Sequence, residues 1–220
     1  MIELAETPDA VKVPETLAPT LMVASRAIGG ALAIVSGRTL DVIDRLMTPL
    51  RLPAAGEHGA AIRLPDGSIQ NAAPTLAIPD EWKQRVRRAA DGWNGTVVEY
   101  KPYSIAAHFR LAPSHGPDVR RLFENIIAED SRDFELLPAR MAFEIRRRNL
   151  NKGAAVHELM KHAPFHGRVP VFVGDDVTDE DGFRAAAEMG GLGLHVGQSF
   201  DGKPSEVRRW LETFRSTDAG

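Results

Sequence analysis

Val169-Pro170-Val171-Phe172-Val173 is a short apolar run of the kind that forms a buried parallel strand. It leads directly into Gly174-Asp175-Asp176-Val177-Thr178-Asp179-Glu180-Asp181-Gly182, after which a helical pattern begins. Any fold of this chain must therefore place five acidic side chains, Asp175, Asp176, Asp179, Glu180 and Asp181, on one strand-to-helix loop. In open α/β sheets, ligands bind at such loops. Carboxylates this close repel one another, and a bound cation relieves the repulsion. The chain has no Cys, so the available ligands are hard oxygens, which suit Mg²⁺ better than zinc. Acidic residues also favour helix N-termini without any ligand, but a generic cap needs one or two carboxylates and no flanking glycine.

The same strand, loop, helix order occurs near the start of the chain. Pro14 to Arg26 has the apolar spacing of a helix, with Gly29-Gly30 just past its end. Ala31 to Val35 is a continuous apolar run, followed by Ser36-Gly37-Arg38-Thr39 and a second amphipathic pattern through Ile43 and Leu46. Ser36 and Thr39 thus stand where free helix N–H groups favour an anion, although either hydroxyl could simply cap the helix. Gly56-Glu57-His58-Gly59 is a compact loop, and Pro65-Asp66-Gly67-Ser68 marks a hairpin. Later, Asn151-Lys152-Gly153 opens a helix to about His162. A Lys at a helix start opposes the helix dipole, so some partner should favour it there, such as a bound phosphate; an ordinary exposed Lys is the simpler reading. Gly190 to Gly197 reads as a last short strand, and Glu206 to Phe214 as a closing helix. No G-x-G-x-x-G follows a strand, which sets dinucleotide binding aside.

Between these blocks the pattern changes. Asp80 to Asp91 reads as a helix with Asp80 as its N-cap. Val97 to Lys101, Ser104 to Arg110, Phe134 to Leu137 and Met141 to Ile145 read as strands, with a helix at Val119 to Ile127 between the pairs. This is an inserted unit with an antiparallel sheet, giving a core of residues 1–77 and 151–220 and an insertion of 78–150. Within it, Glu99 and Lys101 share one sheet face, as do Ser104, His108 and Arg110. A solvated strand face explains such alternation; donors and acceptors for a polyhydroxylated ligand explain it as well.

Composition narrows the partners. The 220 residues are 43% hydrophobic, enough for a sizeable core, and the net charge of −3 offers no field for nucleic acid or an anionic membrane. No apolar run approaches a membrane span, and Met1 to Glu6 carries acid where a signal peptide carries base. A soluble cytoplasmic protein is expected.

Together, Val35-Ser36-Gly37-Arg38, Gly56-Glu57-His58-Gly59, the Glu99/Lys101/Ser104/His108/Arg110 strands, Glu144, Asn151-Lys152-Gly153 and the acidic loop resemble the haloacid-dehalogenase-like phosphotransferases. Within them, the order and spacing are similar to the trehalose-6-phosphate phosphatases over almost the whole chain. The resemblance implies a doubly wound parallel core sheet with an inserted α+β cap domain. The implied reaction is Mg²⁺-dependent hydrolysis of trehalose 6-phosphate through a phosphoaspartyl intermediate. Carried over by motif, Ser36 hydrogen-bonds the transferring phosphoryl group, Lys152 balances its charge, and Asp175 binds Mg²⁺ with support from Asp176 and Asp179. Arg38, His58, Glu99, Lys101, His108, Arg110 and Glu144 would bind substrate, the sugar readers lying on a cap that closes over the core. The same likeness implies a functional link to trehalose-6-phosphate synthase. Another sugar phosphatase or phosphomutase of the superfamily, or a non-catalytic form that binds Mg²⁺ and sugar phosphate, fits the residues too.

The family pattern includes a strand ending in Asp-x-Asp-Gly-Thr, whose first Asp is the nucleophile and second the general acid/base. These 220 residues contain no such motif, and Asp9 and Asp41 lack the strand-end context. Met1 to Pro8 resembles the family's residues immediately after that Thr, so the chain is expected to start roughly 15–30 residues late, a strand plus its lead-in. In that case Ala31–Val35 and Val169–Val173 lose a shared neighbour, and a poorly stable, inactive polypeptide is expected.

Overall fold

The computed structural model describes residues 11–214; the Met1 to Pro8 segment lies outside them. The chain divides into two compact units, one of Val11–Asn71 with the residues from Asn151 on, the other of Ala72–Leu150.

In the first unit the order is α1 (Leu17–Ala27), β1 (Ile34–Val35), α2 (Leu40–Met47), β2 (Ala54–Gly56), β3 (Ala61–Arg63) and β4 (Ile69–Asn71). After the second unit it resumes with α5 (Lys152–Leu159), β9 (Val171–Gly174), α6 (Glu180–Glu188), β10 (Leu192–His195), α7 (Val196–Ser199) and α8 (Pro204–Glu212). β1 and β2 are parallel, and β3 and β4 extend that sheet antiparallel through the turn at Asp66-Gly67. β9 and β10 form a separate parallel pair, so among the described residues β1 and β9 each have one edge without a strand.

Period-two alternation distributes each strand's side chains to two helical layers. Ala54, Ile34, Val173 and Leu194 face the core built by α1, α2 and α8, with Leu17, Leu21, Ile43 and Val207. The intervening Ala55, Val35 and Phe172 face the α5 and α6 side, with Leu159, Val156 and Ala185. Helices on both faces of parallel strands make the unit doubly wound α/β. The run from Ala31 keeps this alternation, yet only Ile34 and Val35 are laddered, because β2 begins at Ala54 and offers no earlier partner. Arg63 is buried and is satisfied by the Leu52 carbonyl at 2.9 Å and Asp44 at 2.8 Å, which ties β3 to α2.

The second unit runs α3 (Asp80–Ala90), β5 (Val97–Tyr100), β6 (Ser104–His108), α4 (Gly116–Ile127), β7 (Phe134–Ala139) and β8 (Ala142–Arg147), with the all-antiparallel sheet order β5-β6-β8-β7. One sheet face carries Ile105, Ala107, Ile145 and Phe134 against Trp82 and Val86 of α3 and Val119, Phe123 and Ile126 of α4. Each such large apolar side chain, fully buried, contributes about 1.5–3 kcal/mol. Asp80 is the first helical residue rather than the N-cap: Pro79 holds that position, and its carbonyl accepts from Trp82 and Lys83 N–H. Residues 72–78 belong to this unit for a visible reason. The Tyr103 hydroxyl donates to the Ala72 carbonyl, Ile78 N–H donates to Pro102, and Arg147 donates to the Leu76 and Thr75 carbonyls and to Asp133. The Arg147 guanidinium also lies 4.4 Å from the Phe134 ring centre.

Candidate active site

In the first unit, glycines set the loops at the carboxyl ends of the parallel strands against one another. A Cβ on Gly37 would lie 2.6 Å from His58 Nε2, one on Gly56 would lie 2.9 Å from the Arg38 carbonyl, and one on Gly59 would lie 3.0 Å from the Asn151 carbonyl. On Gly153 it would meet the Asp181 carbonyl at 2.6 Å, and on Gly174 the Asp179 Cγ at 2.3 Å. A Cβ at any of these positions would force its neighbour to shift, so glycine permits the close approach. The loops carrying Ser36, His58, Lys152 and Asp175 are thereby brought together in sequence. Backbone bonds add to this: His58 N–H donates to Ser36 and Glu57 N–H to Arg38, at 3.0 and 2.8 Å. These bonds help hold Glu57 and His58 at φ 46° and 59°, a conformation that costs non-glycine residues about 1–2 kcal/mol each.

Ser36 and Thr39 do not cap α2. Thr39 occupies the N-cap position without a side-chain bond, and Ser36 Oγ accepts from Arg38 N–H at 3.2 Å. The Ser36 hydroxyl is therefore presented on the loop with Arg38, while His58 is buried with its ring against Gly37.

Lys152 starts α5 behind an N-cap, Asn151, whose side chain accepts from Ala154 N–H at 2.9 Å. The partner that offsets its unfavourable place in the helix dipole is Asp179. Lys152 Nζ donates to Asp179 Oδ1 at 2.6 Å, and both side chains are less than 10% exposed. The other oxygen of Asp179 accepts from the N–H groups of Asp175 and Asp176 at 2.9 and 3.0 Å. Asp176 in turn accepts from Val177 N–H at 2.7 Å and forms a capping box with Asp179 over the 3-10 turn Val177–Asp179. Asp179 thus folds under Gly174 and organises both the loop and Lys152. The Asp-x-x-Asp spacing of 176 and 179 is the sequence signal for this arrangement, and the motif-based reading passed over it.

Asp175 is different. It is exposed at the end of β9, and its carboxylate has no hydrogen-bond or ion-pair partner among the described residues. No set of three or more His, Asp or Glu groups converges on a single metal position among the described residues. Asp175 fits one side of a hard-cation site, with Asp176 next to it.

In the second unit, register puts the remaining candidates on the sheet face opposite the apolar core. Glu99 pairs with Ala106, Ala106 with Glu144, and His108 with Val97. Lys101 Nζ donates to Glu144 Oε1 at 3.1 Å and lies 4.0 Å from Glu99, while His108 Nε2 is 2.8 Å from Glu99 Oε2. The hydrogen bond to His108, aided by Lys101, holds the Glu99 carboxyl below the usual range against the opposing effect of burial. Arg110 falls beyond β6, because the chain turns at Phe109–Ala112, and its guanidinium donates to the Arg140 carbonyl at 3.4 Å. The result is a linked row of polar side chains, His108, Glu99, Lys101 and Glu144, on one sheet face.

Residues 1–209 match the family model described as trehalose-phosphatase. The probable trehalose-phosphate phosphatase of Sinorhizobium fredii is 41% identical over 197 residues, which is 90% of this chain and 74% of that protein. Among solved structures, the C-terminal domain of trehalose-6-phosphate phosphatase from C. albicans superposes with a TM-score of 0.71 at 22% identity, over 86% of this chain and 70% of that one. A haloacid dehalogenase-like hydrolase from B. subtilis superposes with a TM-score of 0.55 at 14% identity, over 76% of this chain and 79% of that one. The fold is haloacid-dehalogenase-like, and the chain belongs to the trehalose-phosphatase family.

Proposed function

We propose that the chain binds trehalose 6-phosphate and supplies most of the site that hydrolyses its phosphate monoester to trehalose and inorganic phosphate. The observation that carries this is the Lys152–Asp179 clasp beside the unpartnered Asp175 on a β9-to-α6 loop, in a chain of this family. Lys152 would balance phosphoryl charge, and the Ser36 hydroxyl, with Arg38 and His58 on the adjoining loops, would orient the ester. Asp175 and Asp176 would hold Mg²⁺, which supplies positive charge to the phosphoryl oxygens; Asp179 supports them by fixing the loop. Glu99, Lys101, His108, Arg110 and Glu144 would read the sugar hydroxyls. No helix among the described residues is long and apolar enough to cross a membrane. The ester would be supplied by a trehalose-6-phosphate synthase in the same, cytoplasmic, compartment.

We also propose that these 220 residues bind the ester without turning it over, because they hold no Asp-x-Asp-Gly-Thr segment and none of the described strand ends offers such a pair. Calorimetric titration with trehalose 6-phosphate and Mg²⁺ should show binding that glucose 6-phosphate does not match. Equal affinity for the two esters would sink the substrate assignment. Release of phosphate by this chain alone would overturn the second proposal.

A further inference from the structure

Across the polar face of the antiparallel sheet, one cross-strand row is Glu99, Ala106, Glu144, Leu137, and the next holds Ser104, Arg146 and Glu135. Lys101 adjoins that second row, its N–H donating to the Ser104 carbonyl at 3.0 Å. The charged groups here are matched: Lys101 with Glu144 at 3.1 Å, Arg146 with Glu135 at 3.0 Å. Arg146 also keeps one buried nitrogen, Nη1, outside any hydrogen bond among the described residues, and Ser104, opposite it in the register, is the uncharged member of the row. Ser104 is 2% exposed, and its Oγ has no hydrogen-bond partner among the described residues.

A buried hydroxyl without a partner costs about 1–3 kcal/mol. Alanine, as at Ala106 on the same face, would avoid that cost. Serine at this position is therefore unfavourable for the free chain, yet it stands one row from the Lys101–Glu144 pair. We propose that Ser104 is a specificity-determining residue whose hydroxyl pairs with a ring hydroxyl of the sugar once Lys101 or Arg146 shifts its flexible stem to meet the ligand. This rests on the assignment of this sheet face to the sugar. A hydroxyl both donates and accepts, and a site built to bond an OH rejects an analogue lacking it far better than an apolar pocket does.

The test compares the unaltered chain with Ser104→Ala and, as a control on the face itself, Lys101→Ala, by thermal melting and by titration with trehalose 6-phosphate and Mg²⁺. Ser104→Ala should melt higher while binding the ester about 3–10-fold more weakly, the effect of one net hydrogen bond. If Lys101→Ala loses affinity and Ser104→Ala does not, the serine has no such role and the face assignment stands. If neither substitution changes affinity, or the unaltered chain does not bind, the face assignment falls and the proposal with it. A Ser104→Ala chain that melts lower and binds more weakly assigns the hydroxyl to structure and overturns the proposal.

Discussion

Replacing Asp179 by Asn keeps the side-chain shape but removes the charge that faces Lys152. The amide oxygen can still accept from the Asp175 and Asp176 N–H groups, as Asp179 Oδ2 does now. Its NH₂ group would then point at the Lys152 ammonium, donor against donor, where the present bond is 2.6 Å. Lys152 is 7% exposed, so water cannot replace the lost partner. Losing a charge-assisted bond sets a floor of about 1.5–3 kcal/mol, and leaving a buried charge uncompensated raises the expected loss to about 3–5 kcal/mol. For a chain of this size that is about 6–20 °C in melting temperature. Lys152→Met should cost less, because Asp179 keeps two backbone donors when the ammonium is gone. The double variant should therefore be more stable than Asp179→Asn alone. Urea denaturation followed by far-UV circular dichroism, on all four proteins, measures these differences. An Asp179→Asn chain within about 0.5 kcal/mol of the unaltered one, the range of ordinary surface changes, would refute the reasoning, as would a double variant no better than the single.

Gly174→Ala should destabilise by about 1.5–3 kcal/mol in the same assay, because its Cβ would lie 2.3 Å from Asp179 Cγ and force that side chain off Lys152. Arg147→Met should expose residues 72–78 to proteolysis and speed hydrogen exchange at the Ile78 amide, lowering local protection by about 1–3 kcal/mol for the carbonyls left without a donor; unchanged protection would mean that the Tyr103–Ala72 and Ile78–Pro102 bonds hold the segment without Arg147. The Glu99 carboxyl titrates below its ordinary value in the folded chain, so its contribution to stability is fully present above the ordinary, unfolded value and is lost as the pH falls through the lower folded value. Glu99→Gln should accordingly cost stability at neutral pH and progressively less in acid; a cost that grows on acidification contradicts the sign.

Apolar runs and glycine punctuation are strong signals, and the element order of the second unit and most of the first was legible from them, but β2 at Ala54–Gly56 and α7 at Val196–Ser199 were not. Boundaries were less legible, since laddering depends on a partner's length: β1 keeps two residues because β2 starts at Ala54, and β8 extends to Arg147 because Phe134 lies opposite it. The site's membership was legible from motifs, but the division of labour in the acidic loop was not. Which carboxylate turns inward depends on the space under Gly174 and on the reach of Lys152 from another helix, neither of which is local in sequence. Ser104 was visible as one polar residue among several; only register and burial set it apart from its charged neighbours.

The glycine contacts among the first unit's loops also bear on how these segments can be exchanged between relatives. A loop that touches its neighbour through a side chain can be transplanted, because the side chain can find another rotamer. Here Gly56, Gly59 and Gly153 each meet a main-chain carbonyl, at 2.9, 3.0 and 2.6 Å from where a Cβ would stand. Main chain on both sides of a contact has no rotamer to change. For the builder of a chimera, the loops from Ser36 to Arg38, Gly56 to Gly59, Asn151 to Gly153 and Gly174 to Gly182 are a single part, to be moved whole or left in place.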